Sequence, residues 1–491
     1  MSVPFNNSYV QLPERFYSRQ SPTKVEKPEL IRANPELARL LGIDPAWLTS
    51  DEGIATMAGN LVPEGADPIA TVYAGHQFGS WNPQLGDGRA ILLGEVIGTD
   101  GERYDIQLKG SGQTPYSRMG DGRAPLGPVM REYIVSEAMA ALGVPTSRSL
   151  AAVTTGEPVY REGALPGAVL ARVAKSHIRI GTFQFFASRE DKEALGLLVN
   201  HVLERHYAEA VDTDADQNTR ALALLDNVMR AQAKLVASWQ MVGFIHGVMN
   251  TDNVLLSGET IDYGPCAFMD TYNPETVFSS IDHGGRYAYR NQPGIAHWNM
   301  ACLAQSLVSV IADKEEDAIE LAKDALDKFP AYFLDANVSG LRHKIGLATQ
   351  QDDDETLAKD FLDLLEVHQL DFTLSFRRLS ELSGTDPGAN VSSLAGFPSA
   401  FDEWMARWKT RCAEEDNPTR QQDMLASNPA IIPRNHLIEE SIQAASMEGN
   451  FDLFNELVDN LATPFDLTGV DVRFAKKPKP EQVVRQTFCG T

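Results

Sequence analysis

The sequence predicts a two-lobed α+β fold, a strand-rich lobe followed by a mostly helical one, with an extension at each end. Three observations lead there. Between about residues 88 and 175, β-rich runs alternate with turn signals. Beyond about residue 185, long stretches carry apolar residues at helical spacing. A single loop-and-strand block, FIHGVMNTDNVLLSGETIDYGP, interrupts those helices at 244–265.

The elements follow in chain order. Residues 1–70 read as an N-terminal arm with short helices, of which ELIRANPELARLLG is amphipathic and stops at Gly42. Residues 71–185 form the strand-rich lobe. RAILLGEVI and ERYDIQLKG are strands joined through Gly98-Thr99-Asp100-Gly101, a hairpin signal. GSGQTPYSRMGDGRAPLGP is too dense in Gly and Pro for regular structure. PVMREYIVSEAMAALG reads as a helix, with Pro128 near its first turn and Gly143 at its end. SLAAVTTGEPVYRE and GAVLARVAK are further strands. The helical lobe spans 186–410 and opens with EALGLLVNHVLERHYAEAV and TRALALLDNVMRAQAKLVASWQMVG. The Asp-rich QQDDDET at 350–356 reads as a solvated loop without chemistry. Residues 411–491 form a C-terminal helical extension and tail.

Composition bounds the function. The 491 residues are 43% hydrophobic and 22% charged, ordinary globular usage that supports a sizeable core. A net charge of -24 argues against nucleic acid or an anionic membrane as partner, since both want a basic surface. No run is expected to approach the ~20 apolar residues that cross a bilayer. MSVPFNNSYVQLPERFYS lacks the charged-then-apolar pattern of a signal peptide. Cys266, Cys302, Cys412 and Cys489 are too few for a disulfide scaffold and lack zinc spacing, so a reducing cytoplasm is expected.

The chemistry concentrates in the loop block. His246 and Asn253 keep the outer frame of His-x-Asp-x4-Asn, the catalytic loop of a protein kinase, but Val248 stands where the catalytic Asp would be. An apolar side chain cannot orient or deprotonate a hydroxyl. Nine residues after Asn253 stands Asp262, in Asp262-Tyr263-Gly264, which matches the metal-binding Asp-Phe-Gly element. Mg²⁺ is commonly held by one or two protein oxygens plus nucleotide phosphates, and Asn253 with Asp262 supplies such a pair. Taken singly, Asp252-Asn253 reads as a turn and Asp262 as a loop cap. Together, after two long helices, they favour the metal site. With this block in place, the lobe order is that of a protein-kinase-like fold, with nucleotide between the lobes.

The strand-rich lobe should then carry an ion-pairing Lys. Asp105, Gln107 and Lys109 alternate along one face of a strand. Glu132 on the next helix is the expected partner of Lys109, with Glu137 as the other choice. The pentapeptide Gly-Asp-Gly-Arg-Ala occurs at 86–90 and again at 120–124, bracketing Lys109. Its glycines suit close approach to phosphate and its Arg can fork onto phosphate oxygens; a tight turn is the plainer reading. Arg172, Lys175, His177 and Arg179 follow within eight residues. From 105 to 180 there are nine Lys/Arg against six Asp/Glu, a local excess of cations in an acidic chain. A solvated charged face would read the same; the contrast points to a polyphosphate pocket.

GHQFGSWNPQLGDGRAILLGE, DIQLKGSGQTPYSRMGDGRAPLGPVMREYIVSEAM, RVAKSHIRIGTFQ, HGVMNTDNVLLSGETIDYGP and PRNHLIEESIQAA together resemble the selenoprotein O family, over nearly the whole chain. That resemblance implies a pseudokinase that transfers AMP from ATP to Ser, Thr or Tyr hydroxyls of proteins, itself included, with UMP transfer from UTP, using Mn²⁺, also associated with bacterial relatives. It implies ATP bound inverted relative to kinases, the γ-phosphate buried among cations and the α-phosphate facing the acceptor. By motif position, Arg89, Lys109, Arg172 and Arg179 hold phosphates, Gly86, Gly88, Asp121 and Gly122 line the nucleotide, Asn253 and Asp262 hold Mg²⁺ or Mn²⁺, and Asp252 is the base. A monomer acting on protein substrates is expected. A conventional kinase and a non-catalytic nucleotide-binding scaffold remain the competing readings. Cys489 sits where family members carry selenocysteine or cysteine, which implies a redox role. Cys266 is the candidate partner nearest the catalytic block, because Thr276-Val277-Phe278-Ser279, where the family's usual partner lies, has no cysteine. A free Cys489 is the other reading.

Overall fold

The computed structural model describes residues 3–384 and 396–488. Its centre is an antiparallel sheet of eight strands. In chain order these are β1 (Tyr17–Arg19), β2 (Glu29–Ala33), β3 (Ile69–Thr71), β6 (Ala90–Ile97), β7 (Arg103–Lys109), β8 (Ala124–Pro125), β9 (Arg148–Tyr160) and β10 (Ala164–Ala174). Between β3 and β6 a small separate hairpin is formed by β4 (Gly75–Gln77) and β5 (Ser80–Asn82). The main sheet runs β1-β3-β6-β7-β10-β9-β2, with β8 added against β10.

Alternation explains the sheet. On β7, Ile106 and Leu108 point into an apolar layer with Leu93, Val153, Val169 and Val173, under the short helices α1 (Pro35–Leu40), α2 (Pro45–Leu48) and α3 (Asp51–Met57). The opposite face carries Asp105, Gln107 and Lys109, and the β7–β10 register sets Arg172 directly across from Gln107. That face is covered by α4 (Leu126–Ala141), whose Glu132 lies over it.

One expected element changes type. ELIRANPELARLLG is not one helix: Glu29–Ala33 is strand β2, paired with the edge of β9. The helix starts only after Asn34, whose side chain accepts from Leu37 N–H at 3.0 Å, with Pro35 in the first turn. The open edge of β9 supplies backbone partners that a helix over 29–33 would forgo. The first 71 residues therefore contribute three strands to the sheet.

The expected long helices are α6 (Lys192–His206) and α7 (Gln217–Val242), preceded by an unexpected α5 (Ile180–Ala187). Gly243 ends α7 in the left-handed conformation, φ 68°, and the chain enters the short pair β11 (Phe244–Ile245) and β12 (Ala267–Phe268). The loop block hangs between them. Helix α8 (Gln292–Ile311) lies in the stretch Tyr289–Ile311, which is long and apolar enough to cross a membrane, contrary to the sequence expectation. Ala296, Met300, Leu303, Leu307 and Ile311 of α8 are buried in the main core beside α5 and α7.

The C-terminal helices back α4 on the side away from the sheet's polar face. Asn435–Glu448 packs on α4, with Arg131 paired to Glu439. Arg434, fully buried, holds Asp270 and Asp371. Within QQDDDET, Asp354 is not solvated: it is buried against Arg411 at 2.7 Å and starts the helix Asp354–Val367.

Candidate active site

A cavity of about 680 Å³ opens between the polar face of the sheet and the loop block. Gly86, Gly88, Arg89, Lys109, Asp121, Gly122, Arg172, Arg179, Asp252, Asn253 and Asp262 all line it. Glu132 lies one layer behind. Seven cations and four carboxylates form the lining, a positive excess in a chain of net charge -24.

The floor is a buried ionic ladder. Lys109 Nζ donates to Glu132 Oε2 at 2.5 Å and to Asp262 Oδ1 at 2.9 Å. Arg172 donates to Glu132 Oε1 at 3.0 Å and to Gln107 Oε1 at 2.5 Å. Glu137, the other choice for Lys109, faces away and pairs with Arg148 at 2.7 Å. Burial would raise the Glu132 carboxyl, but Lys109 and Arg172 hold it below its ordinary value. Asp262 is treated likewise: burial opposes ionisation, and Lys109 and Arg89 carry it well below the usual carboxylate range. Its φ of 68° is left-handed, a conformation that costs a non-glycine residue about 1–2 kcal/mol and marks a constrained position.

His246 ties this floor to the loop. Its Nδ1 accepts from Val248 N–H at 3.3 Å, which leaves Nε2 to donate to Ile261 C=O at 2.9 Å, one residue before Asp262. Val248 faces the cavity and Asn253 Nδ2 donates to its carbonyl at 3.1 Å. Arg179 crosses the wall: it lies 4.5 Å over the Tyr73 ring, donates to the Asp252 carbonyl at 2.8 Å and reaches Asp87 at 3.5 Å.

Asp252 is 8% exposed. Gln77 Nε2 donates to its Oδ2 at 3.1 Å, while its Oδ1 is buried and has no hydrogen-bond partner among the described residues. Burial pushes this carboxyl up to about 6, against the pull of Arg179 and Gln77.

The two Gly-Asp-Gly-Arg-Ala copies do different work. Asp87 is buried and accepts from Thr71 N–H and Oγ1 at 3.0 and 2.6 Å, whereas Asp121 is exposed and pairs with Arg161 at 2.9 Å. Arg89 lines the cavity, while Arg123 at its own edge of the cavity donates to the Thr23 and Lys24 carbonyls. Gly86 (φ 125°) and Gly122 (φ 69°) are needed by packing as well: a Cβ would stand 2.4 Å from Tyr116 and 2.1 Å from Gly112.

Sequence reasoning missed the hairpin β4–β5. His76 N–H donates to Thr251 Oγ1 at 2.7 Å and Phe78 N–H to Asn250 Oδ1 at 2.9 Å. Tyr287 O–H donates to the same Asn250 oxygen at 2.8 Å. The only local signal was the Phe78-Gly79 turn, where both residues take positive φ, 50° and 83°.

No group of three or more His, Cys, Asp or Glu gathers for a metal among the described residues. The carboxylate of Asp262 and the amide of Asn253 nevertheless share the cavity wall, a hard-oxygen donor pair of the type that Mg²⁺ or Mn²⁺ completes with phosphates. At the chain's end, Thr487 Oγ1 donates to Pro265 C=O at 2.6 Å and its N–H to Phe278 C=O at 2.8 Å. The adjoining Cys266 is fully buried, and burial pushes its thiol up to about 12. Cys489 lies outside the described residues.

Residues 1–462 match the family model described as "Protein adenylyltransferase SelO". The chain belongs to the SelO family. Among similar SelO-family relatives is "Protein nucleotidyltransferase YdiU" of Bradyrhizobium diazoefficiens, 58% identical over 99% of both chains. Proteins of the same name from Rhodopseudomonas palustris (strain HaA2) and Bradyrhizobium sp. (strain ORS 278) are each 56% identical, again over 99% of both chains.

Proposed function

We propose that this SelO-family chain is a protein adenylyltransferase that moves AMP from ATP onto Ser, Thr or Tyr hydroxyls of proteins, itself included, and accepts UTP as a second donor. The observation that carries this reading is the division of the cavity. Lys109, Arg172 and Arg89 stand on the sheet side and Arg179 reaches across to the loop, whereas the loop itself offers Val248 in the kinase-base position and, on Asp252, a carboxylate with one oxygen hydrogen-bonded.

The reading takes residues 71–185 and 186–410 as the two lobes of a kinase-like fold, with 1–70 and 411–491 as extensions. The Lys109–Glu132 pair between strand and helix supports it. Lys109, Arg172, Arg179 and Arg89 hold the β- and γ-phosphates. Gly86, Gly88, Asp121 and Gly122 shape the nucleotide wall, and Glu132 fixes Lys109 and Arg172. The acceptor oxygen attacks the α-phosphorus, the bond from that phosphorus to the α,β-bridging oxygen breaks, and pyrophosphate leaves. Asp252 Oδ1 takes the hydroxyl proton; a base of this kind is worth ~10²–10⁴ in rate. Gln77 holds the other oxygen and so aims the carboxylate. Asn253 and Asp262 would hold Mg²⁺ or Mn²⁺, which supplies charge neutralisation on the departing pyrophosphate. The partners are ATP and protein substrates, with the enzyme a cytoplasmic monomer and neither nucleic acid nor membrane involved.

Parallel incubations with α- and γ-labelled ATP test the reading. Label on protein from the α-phosphate alone supports it. Label from the γ-phosphate identifies a kinase, and binding without either transfer identifies a scaffold; each result overturns the proposal.

A further inference from the structure

Among the described residues, Arg286 is a guanidinium without a carboxylate. The nearby Asp282 accepts from the backbone N–H groups of Arg286 and Tyr287, at 2.9 and 2.8 Å, and so is turned to the main chain. Arg286 forms no ion pair among the described residues, its Nε and Nη2 are buried there without a hydrogen-bond partner, and its neighbours are the side chains of Tyr287 and Trp298, neither of which carries a charge. It lies 4.8 Å over the Trp298 ring and against the tip of hairpin β4–β5, where a Cβ on Gly79 would stand 3.8 Å from its Cζ. A partly buried cation left uncompensated is unfavourable, and an anion arriving from outside relieves it.

Its position gives that anion a role. The same hairpin is pinned to the catalytic loop, through Gln77 to Asp252 and through Phe78 N–H to Asn250, and Tyr287, next to Arg286, meets Asn250 from the other side. Phe78 and Ile281 line the cavity, and Ile281 is 57% exposed; Trp81, on the hairpin with Phe78, is 42% exposed. Arg286 thus stands beside an apolar lip, about two hairpin residues from the one that holds Asp252. An extended chain advances roughly 3.3–3.6 Å per residue. By the spacing from Gln77 to Gly79, a side chain about two or three residues from a hydroxyl at Asp252 would come level with the guanidinium.

We infer that Arg286, with Phe78, Trp81 and Ile281, forms a recognition surface for an extended segment of the acceptor protein that carries Asp or Glu two or three residues from the modified hydroxyl. The inference rests on the transferase reading for its orientation. Charge complementarity selects this occupant: the lip offers a cation that has no ion pair among the described residues, although the chain as a whole repels acidic partners.

Fluorescein-labelled tyrosine peptides test it, made as twins that differ only by Glu or Gln two or three residues to either side of the tyrosine. Each is titrated into the full chain with ATP and Mg²⁺. Wild type should bind one of the Glu peptides on the order of tenfold tighter than its Gln twin, the scale of a close interfacial charge pair. Arg286→Gln should abolish the difference without weakening ATP binding, and Arg286→Lys should retain part of it. Equal binding of all twins by wild type, absence of binding, or a preference that survives Arg286→Gln overturns the inference. Wild type alone therefore decides it should the variants fold poorly. Discrimination without transfer of α-label to any acceptor would leave the surface standing and fault the transferase reading instead.

Discussion

Replacing Glu132 by Gln should destabilise the empty enzyme, and nucleotide should repair much of the damage. Glu132 is buried and is shared by Lys109 at 2.5 Å and Arg172 at 3.0 Å. Glutamine keeps the shape and removes the charge, so two cations remain with less compensation. Removing one partner of a buried pair costs about 3–5 kcal/mol. Asp262 still holds Lys109 at 2.9 Å, which places the loss at the lower end, about 3 kcal/mol. Unfolding entropy of about 2.1 cal/mol/K per residue, over the chain's 491 residues, gives roughly 1 kcal/mol/K for cooperative unfolding. Tm should therefore fall by about 3 °C. If the β- and γ-phosphates sit between Lys109 and Arg172, bound ATP supplies the missing anion and stabilises the variant more than wild type. Transfer should still fall, because Lys109 and Arg172 lose their common support. Calorimetry with and without saturating ATP and Mg²⁺ reads both effects. A wild-type Tm for the empty variant would refute the ionic-ladder argument. A deficit that ATP leaves unchanged would place the phosphates elsewhere.

Asp262→Ala should abolish transfer and weaken metal-dependent nucleotide binding; near-normal activity would remove Asp262 from the metal site. Asp252→Ala should lower turnover by ~10²–10⁴ with little change in ATP affinity, measured by single-turnover kinetics beside equilibrium binding; equal losses in both would mean a structural role. Lys109→Met and Arg179→Ala should each weaken ATP binding more than AMP binding in calorimetric titrations, if they hold the phosphate tail as proposed; equal losses would contradict that placement. Lys344 is buried against the Phe372 and Phe376 rings, without an ion pair among the described residues, and burial lowers its pKa from 10.5 to about 7. Because the folded state binds this proton less tightly than the unfolded one, the group penalises folding below about pH 7, and the penalty fades as pH rises towards 10.5. Lys344→Met should raise Tm at neutral pH and flatten its rise with pH; an unchanged Tm would show the ammonium to be well accommodated.

What could be read from the sequence followed from periodicity and spacing. The alternation of Asp105, Gln107 and Lys109 places them on one face whatever the partners, and the interval from His246 to Asp262 brings the loop residues onto one wall. Helices α6 and α7 have caps at Asp191 and Asp216 and clear apolar stripes. Helix α5 has no stripe to detect, because Ile180, Gly181, Phe183 and Phe186 bury it on most sides. Strand β2 reads as helix in the sequence because five residues cannot distinguish the two periods, and the edge of β9 decides between them. Asp354 looked solvated because its partner, Arg411, lies 57 residues away.

The hairpin β4–β5 was illegible for a stronger reason. Its anchors are backbone N–H groups of His76 and Phe78, which carry no side-chain signature, and their acceptors lie 175 and 172 residues further along the chain. Only Gln77 contributes a side chain to the contact with Asp252, and a lone glutamine in a strand signals nothing. Yet these contacts bear on the difference between a kinase and this site. Val248 removes the carboxylate from the usual position, and Asp252, four residues on, can serve only if something outside the loop fixes its orientation. The hairpin meets that need on one oxygen and leaves the other buried, without a hydrogen bond among the described residues, while its tip lies beside Arg286. The proposed base, its support and the proposed acceptor surface thus belong to a single tertiary unit, assembled from segments around residues 77, 252 and 286.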